Sequence, residues 1–190
     1  MSETDRIGAV LGGLAMCAVL LGVPPERAEA QDKPAFKSDT VGGPGGTHFE
    51  FSCGTGKVLV GVKGRAGMWL DNISFKCATV SGATLGAVTT SGSFGGTGGT
   101  KSYDLQCPSG HVVKGLSIYR GSYVHQIGLY CRIWQGTGWG NTGKLVGPAG
   151  GSGGTYDRRD CLEHSQPVVA VHGRRGWYVN AIGITCDEVT

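Results

Sequence analysis

Prolines number only 7 in this 190-residue chain and no Gly-X-Y period runs through it, which excludes a collagen-like helix. Neither a Cys-X-X-Cys pair nor a Cys/His cluster occurs, so the sequence holds no zinc motif. His48, His111, His125, His164 and His172 follow no ligand spacing such as HExxH and read singly as solvated histidines. A nucleophile with a base and an orienting group cannot be assembled from the chain, so it is not read as an enzyme, and no cofactor or metal is expected. Asp157, Asp160 and Glu163 read as a charged strand or turn face. Basic residues are scattered, with Arg158-Arg159 and Arg174-Arg175 as the adjacent pairs and no basic stripe interleaved with aromatics, which argues against nucleic acid as a partner.

What the chain does have is glycine: 36 residues, far above the roughly 7% of average usage. Each glycine inside a helix costs about 1 kcal/mol relative to alanine, so the excess argues against a helical protein. Hydrophobic residues at 39% still supply one core, and the expected class is all-β and rich in turns. An apolar run from Ile7 to Val23, then Pro24, Pro25 and the small-residue site Ala28-Glu29-Ala30, reads as a secretory signal peptide over residues 1–30. Glu3 and Asp5 weaken its positive start, which leaves a retained anchor as the alternative. Cys17 reads as a cysteine of the signal core, since Met16 is too bulky for a lipoprotein box. The remaining residues 31–190 make one domain by length, with a formal charge of +5, and are not expected to span a membrane.

Self-similarity organises that domain. GGxGGT occurs at 42–47, 95–100 and 150–155, followed by Cys53, Cys107 and Cys161 at spacings of 54 and 54. Cys77, Cys131 and Cys186 close the copies at spacings of 54 and 55, which gives three repeats over about 36–77, 85–131 and 142–186. The third copy carries one extra residue, in the turn Leu162 to Ser165. Each copy ends in strict alternation: Ile73, Phe75 and Cys77, then Ile127, Leu129 and Cys131, then Ile182, Ile184 and Cys186. A period of two predicts a half-buried strand. The β-branched run Val58 to Val62 and its equivalents predict another, and segments such as His48 to Ser52 and Leu85 to Thr89 add two more per copy. Twelve strands in three equivalent four-stranded antiparallel sheets follow. One such unit buries only one sheet face, so three must pack about a common axis as a three-sided prism with pseudo-threefold symmetry.

Six cysteines allow fifteen pairings. Identical repeats should pair identically, which favours Cys53 with Cys77, Cys107 with Cys131 and Cys161 with Cys186, and an oxidising, extracytoplasmic compartment.

The chemistry concentrates in one turn of each copy. Gly67-Met68-Trp69-Leu70-Asp71 begins with glycine and ends in a carboxylate before a strand; its counterparts are Gly121-Ser122-Tyr123-Val124-His125 and Gly176-Trp177-Tyr178-Val179-Asn180. Such a loop offers backbone N–H groups, a polar acceptor and an aromatic wall, which suits a ligand dense in hydroxyl groups. GGxGGT turns could add backbone donors at close approach, because no Cβ blocks a ligand. The bland alternative stands beside it: GGxGGT merely makes a turn and Asp71 caps its own backbone. Trp69, Tyr123 and Tyr178 share one column and could simply be surface aromatics.

On GGxGGT, GRAGMWLDNISF and GRRGWYVNAIGI, the sequence resembles the jacalin-related lectins of the β-prism I fold, over about residues 36–188. That resemblance implies three Greek-key sheets and a site in which the GxxxD carboxylate accepts hydrogen bonds from two hydroxyls of a mannose- or glucose-type sugar. Carried over, Gly67, Met68, Trp69, Leu70 and Asp71 match the loop completely, with Gly98 and Gly99 of the next glycine turn sharing the pocket. Gly176, Trp177, Tyr178, Val179 and Asn180 match except that Asn replaces Asp, with Gly45 and Gly46 as partners. The second copy departs further at His125. Three disulfides depart from the plant lectins and are instead similar to the vitelline membrane outer layer protein family. The sequence therefore reads as a secreted, metal-independent lectin whose partners are glycans or polysaccharides, compatible with a homo-oligomer. The alternative is a structural coat or matrix protein that keeps the prism without a sugar site.

Overall fold

A computed structural model describes residues 34–189 of the chain, so the expected signal peptide and Cys17 lie outside the described residues. In chain order the first repeat forms β1 (Phe36–Lys37), β2 (Val41–Gly42), β3 (Thr47–Ser52), β4 (Lys57–Ala66) and β5 (Leu70–Ser81). The second forms β6 (Thr84–Thr90), β7 (Phe94–Gly95), β8 (Lys101–Gln106), β9 (His111–Arg120) and β10 (Val124–Trp134). The third forms β11 (Trp139–Gly150), β12 (Thr155–Asp160), β13 (Val168–Arg175) and β14 (Val179–Cys186). The extra residue of the third copy is absorbed in a single 3-10 turn at Leu162–His164, closed by Ser165 at φ 54.

Three antiparallel sheets result. Sheet I has the order β6-β5-β4-β8, with β7 also on β5; sheet II is β11-β10-β9-β12; sheet III is β1-β14-β13-β3, with β2 also on β14. The fourteen strands exceed the expected twelve because the outer strand of sheets I and III is broken into two pieces. Counted as one each, they restore four strands per sheet. In sheets I and II three consecutive strands are followed by a fourth that returns beside the first, the Greek-key order.

One expectation is corrected here: a repeat is not a sheet. The central hairpin of each repeat builds one face of the prism, while the strands before it complete the preceding face. Thus β3 lies on β13, with Thr47 opposite Arg175, and β8 lies on β4, with Lys101 opposite Ala66. The first repeat completes the hairpin of the third, where Phe36 pairs with Cys186 and Val41 with Ile182.

This exchange gives the disulfides their mechanical role. Cys53 continues β3 on sheet III and is bonded to Cys77 on sheet I; Cys107 continues β8 on sheet I and is bonded to Cys131 on sheet II; Cys161 continues β12 on sheet II and is bonded to Cys186 on sheet III. The Cα separations of 5.6, 5.6 and 5.7 Å lie in the ordinary range for a bridge. Every pair of faces is joined once.

The alternating residues fill the interior as their period requires. Leu59, Val62, Ile73 and Phe75 from sheet I meet Leu116, Ile118, Ile127 and Leu129 from sheet II and Val171, Ile182 and Ile184 from sheet III, all fully buried. Between sheets III and I the packing is aromatic: the Phe51 and Phe75 rings lie 5.3 Å apart, and Phe94 lies 4.9 Å from Phe49 and 5.5 Å from Phe75.

One buried polar residue ties the outside of sheet III to the segment between β1 and β2. His172 lies across Gly183, and its Nε2–H donates to the Ser38 carbonyl at 3.0 Å. Burial pushes its pKa below 6.5, opposed by the bond to Ser38 and assisted by the Lys37 charge. The folded state therefore binds fewer protons at this site than the unfolded chain. Its stabilising contribution is complete above about pH 6.5 and is lost as pH falls below it. We expect the melting temperature to fall from pH 7 to pH 5, and His172→Gln, which keeps a donor without titrating, to flatten that dependence. Each bridge closes 24 or 25 residues, worth about 3 kcal/mol. A Cys107→Ala/Cys131→Ala protein should lose about that much stability in denaturant titration while staying folded, and peptide mapping under non-reducing conditions should recover no bridge other than these three.

Candidate functional site

Three hairpin turns, joining β4 to β5, β9 to β10 and β13 to β14, meet at one end of the prism. Each closes in the same way: the N–H of Gly67 donates to the Trp69 carbonyl at 3.0 Å, that of Gly121 to Tyr123 at 2.9 Å and that of Gly176 to Tyr178 at 2.9 Å. The last residue of each turn then receives the glycine turn of the next repeat. Gly96 N–H donates to the Asp71 carbonyl at 2.8 Å, Gly151 to His125 and Gly43 to Asn180, both at 2.9 Å.

The glycine pairs are required by distance. A Cβ on Gly96 would run into the Trp177 carbonyl oxygen, and one on Gly43 or Gly151 into that of Ser122 or Met68. Each glycine turn therefore touches two hairpin turns, its own partner and a neighbour, and six loops close into a ring. Farther along, a Cβ on Gly99 would lie 2.9 Å from Asp71 Oδ2, and one on Gly45 2.9 Å from Asn180 Nδ2. Asp71 with Gly98 and Gly99, and Asn180 with Gly45 and Gly46, are thus brought together.

Both acceptor side chains are largely buried, at 6% exposure each. Asn180 Oδ1 is buried without a hydrogen-bond partner. Beside each acceptor an arginine holds the glycine turn. Arg65 Nε donates to the carbonyls of Gly98 at 3.0 Å and Gly99 at 3.1 Å; Arg174 Nε donates to Gly45 at 3.1 Å and its Nη2 to Gly46 at 2.7 Å. With the carbonyls turned to the guanidinium, planarity points the following N–H groups away from it. Sequence reasoning missed these two arginines. The signal was present in GRAG and GRRG, whose counterpart in the second repeat is YRG, with Tyr119 at the arginine position.

The second repeat departs at both places. His125 replaces the acceptor, and its Nδ1–H donates to the Ser152 carbonyl at 2.8 Å, so the imidazole is held on the glycine turn.

Not every residue of the loops faces outward. Leu70 and Val179 are fully buried and point into the core, so only their backbone reaches the turn. Trp69, Tyr123 and Tyr178 are not isolated surface rings. Their centroids form a triangle with sides of 5.0, 4.9 and 5.0 Å, each pair tilted by 49 to 66°, which fills the pseudo-threefold axis between the loops. Met68 and Trp177 are exposed, at 64% and 83%. A cavity of about 600 Å³ is lined by Asp71, Gly98, Asn180, Gly45, Gly46 and Trp177, with Tyr123 and Tyr178. A depression of about 570 Å³ beside Phe36 and His164 holds Arg158, Arg159 and Asp160, whose charges are largely committed to one another and to Asp157.

Three antiparallel faces about an axis, two of them in Greek-key order, with glycine turns meeting hairpin turns at one end, define the β-prism I class. The chain has the fold of the jacalin-related lectins, and its structural neighbours are members of that group. Malaysian banana lectin superposes with a TM-score of 0.60 at 23% identity, covering 82% of this chain and 99% of that one. A mannose-binding jacalin-related lectin from Ananas comosus gives 0.59 at 24% identity, covering 81% and 98%, and artocarpin complexed with mannotriose gives 0.60 at 18%, covering 79% and 95%. No protein-family model and no curated protein sequence matches the chain.

The glycine turns yield a stability test. Gly96→Ala should lose about 1 to 3 kcal/mol in denaturant titration, because its Cβ meets backbone that cannot yield. Gly92→Ala, where a Cβ meets nothing within 4 Å, should be neutral or slightly stabilising.

Proposed function

We propose that the chain is a secreted carbohydrate-binding lectin that takes mannose- or glucose-type sugars at the Asp71 loop and, more weakly, at the Asn180 loop. The observation that carries this reading is a coincidence of parts. A carboxylate or carboxamide acceptor, a glycine turn against it and an arginine on that turn's carbonyls occur together in the first and third repeats, and the second has instead an imidazole bonded to its own glycine turn and a tyrosine in place of the arginine. The sugar class is supported by the Ananas comosus lectin, which binds mannose, and by the artocarpin complex with mannotriose.

In this reading Asp71 accepts hydrogen bonds from two sugar hydroxyls, and N–H groups of Met68 to Leu70 and of the Gly98-Gly99 turn donate to the remaining oxygens. The binding is metal-independent, since one carboxylate and backbone amides fall well short of the 6 to 8 oxygens calcium takes. Residues 1–30 act as a signal peptide, and residues 31–190 form the lectin domain. Its three bridges fit an oxidising compartment. The same bridges favour the second reading, a structural coat protein, because they stabilise the prism whether or not it binds sugar.

Calorimetry separates the two. Asp71→Ala should weaken methyl mannoside or glucoside binding at least about tenfold, since hydrogen bonds to a charged acceptor are worth about 1.5 to 3 kcal/mol and 1.4 kcal/mol is a factor of ten. Asn180→Ala should cost less, His125→Ala should leave affinity within about twofold, and exhaustive chelation should change nothing. No sugar binding by the folded unsubstituted protein would favour the coat reading, whereas unaltered binding in a folded Asp71→Ala protein would take Asp71 out of the site.

A further inference from the structure

The two acceptors do not open onto separate surfaces. One cavity of about 600 Å³ is lined by Asp71 with Gly98 on one side and by Asn180 with Gly45 and Gly46 on the other, a size ordinary for a ligand larger than a single ring. The boundary between the two halves is Trp177. It belongs to the Asn180 loop, yet its backbone carbonyl abuts Gly96, in the glycine turn that serves Asp71. Its side chain is 83% exposed.

The pseudo-threefold symmetry makes that position informative, because it recurs at each boundary between neighbouring loop pairs. Between the Asn180 and His125 places stands Ser122, against Gly43; between the His125 and Asp71 places stands Met68, against Gly151. The boundary that separates two acceptor-bearing loops carries the indole, and the two boundaries beside His125 carry a hydroxyl and a thioether. A large flat ring with an apolar face suits the C–H face of a pyranose, while polar groups to either side suit its hydroxyl edge. Tyr123 and Tyr178, from the axial triangle, line the same cavity.

Resting on the sugar-binding reading above, we propose that a single neutral oligosaccharide occupies both places at once, one pyranose at Asp71 and another at Asn180, with Trp177 under the linkage between them. Joining two sugar units in one molecule makes the second contact intramolecular, so affinity rises without any new contact where the spacing permits. The weaker Asn180 place then gains its occupancy from the stronger one, and the chain selects for length and linkage as well as for the terminal sugar.

Titration calorimetry with methyl mannoside and with linear manno-oligosaccharides of increasing length tests this. We expect two monosaccharides per chain but one oligosaccharide, bound at least about tenfold more tightly once the length spans the cavity. That ratio should collapse to within about twofold in Asn180→Ala, fall in Trp177→Ala and largely survive in Trp177→Phe. Two oligosaccharides per chain at monosaccharide affinity, or a ratio unchanged in Asn180→Ala, would overturn the bridging while leaving the lectin reading intact. No methyl mannoside binding at all would remove the lectin reading itself and this inference with it.

Discussion

Backbone meeting backbone, with no Cβ between, is the contact on which the upper end of this prism depends. Gly43, Gly96 and Gly151 lie directly against carbonyl oxygens of neighbouring hairpin turns, and the same peptides donate to Asn180, Asp71 and His125. A side chain at any of the three would push two loops apart. That approach sets Gly98 and Gly99 beside the Asp71 carboxylate, and Gly45 and Gly46 beside the Asn180 amide. The strands below supply a stiff base for it, since strong packing of Ile73, Ile127 and Ile182 lies only a residue or two beyond each turn.

Symmetry in the backbone coexists with asymmetry in the chemistry. The turn hydrogen bonds repeat three times to within 0.1 Å, yet only two copies hold an arginine on the glycine carbonyls. In the second copy Tyr119 turns instead toward Tyr156, 5.5 Å away, and Arg158 lies over the Tyr130 ring at 4.3 Å. The scaffold tolerates this because the close approach uses glycine and main chain, which every copy retains. Side chains on the rim are thereby free to differ from copy to copy.

Much of the fold was legible from spacing alone. The 54-residue register gave the number of faces; the alternation through Ile73, Phe75 and Cys77 gave the buried side; identical cysteine positions gave the pairing. Which face each strand joins was not legible, because a repeat that folds on itself and one that lends its first strands to a neighbour have the same period. The inward turn of Leu70 and Val179 was hidden too: in a five-residue turn, facing depends on where the strand pleat resumes. Arg65 and Arg174 escaped notice because a lone arginine beside glycine carries no signature until the carbonyls it reaches are known. The axial triangle of Trp69, Tyr123 and Tyr178 needed the third dimension, although their common column was visible.

The lending of strands also sets an order of assembly. Thr47 finds its partner Arg175 across 128 residues of chain, and β1 and β2 likewise have nothing to pair with until β14 exists. During synthesis from the amino terminus, sheet I can form as soon as β8 follows β4 and β5, and sheet II soon after. Strands β1 to β3 meanwhile wait as unpaired edges, exposed to pairing with the wrong chain. The last face must close over a distance that makes this a high-contact-order, slow step. Cys53, which continues β3, can bond Cys77 well before β13 arrives, so oxidation tethers the waiting edge beside sheet I. The bridge acts then as a guide for folding, before it becomes one of three joints in the finished prism.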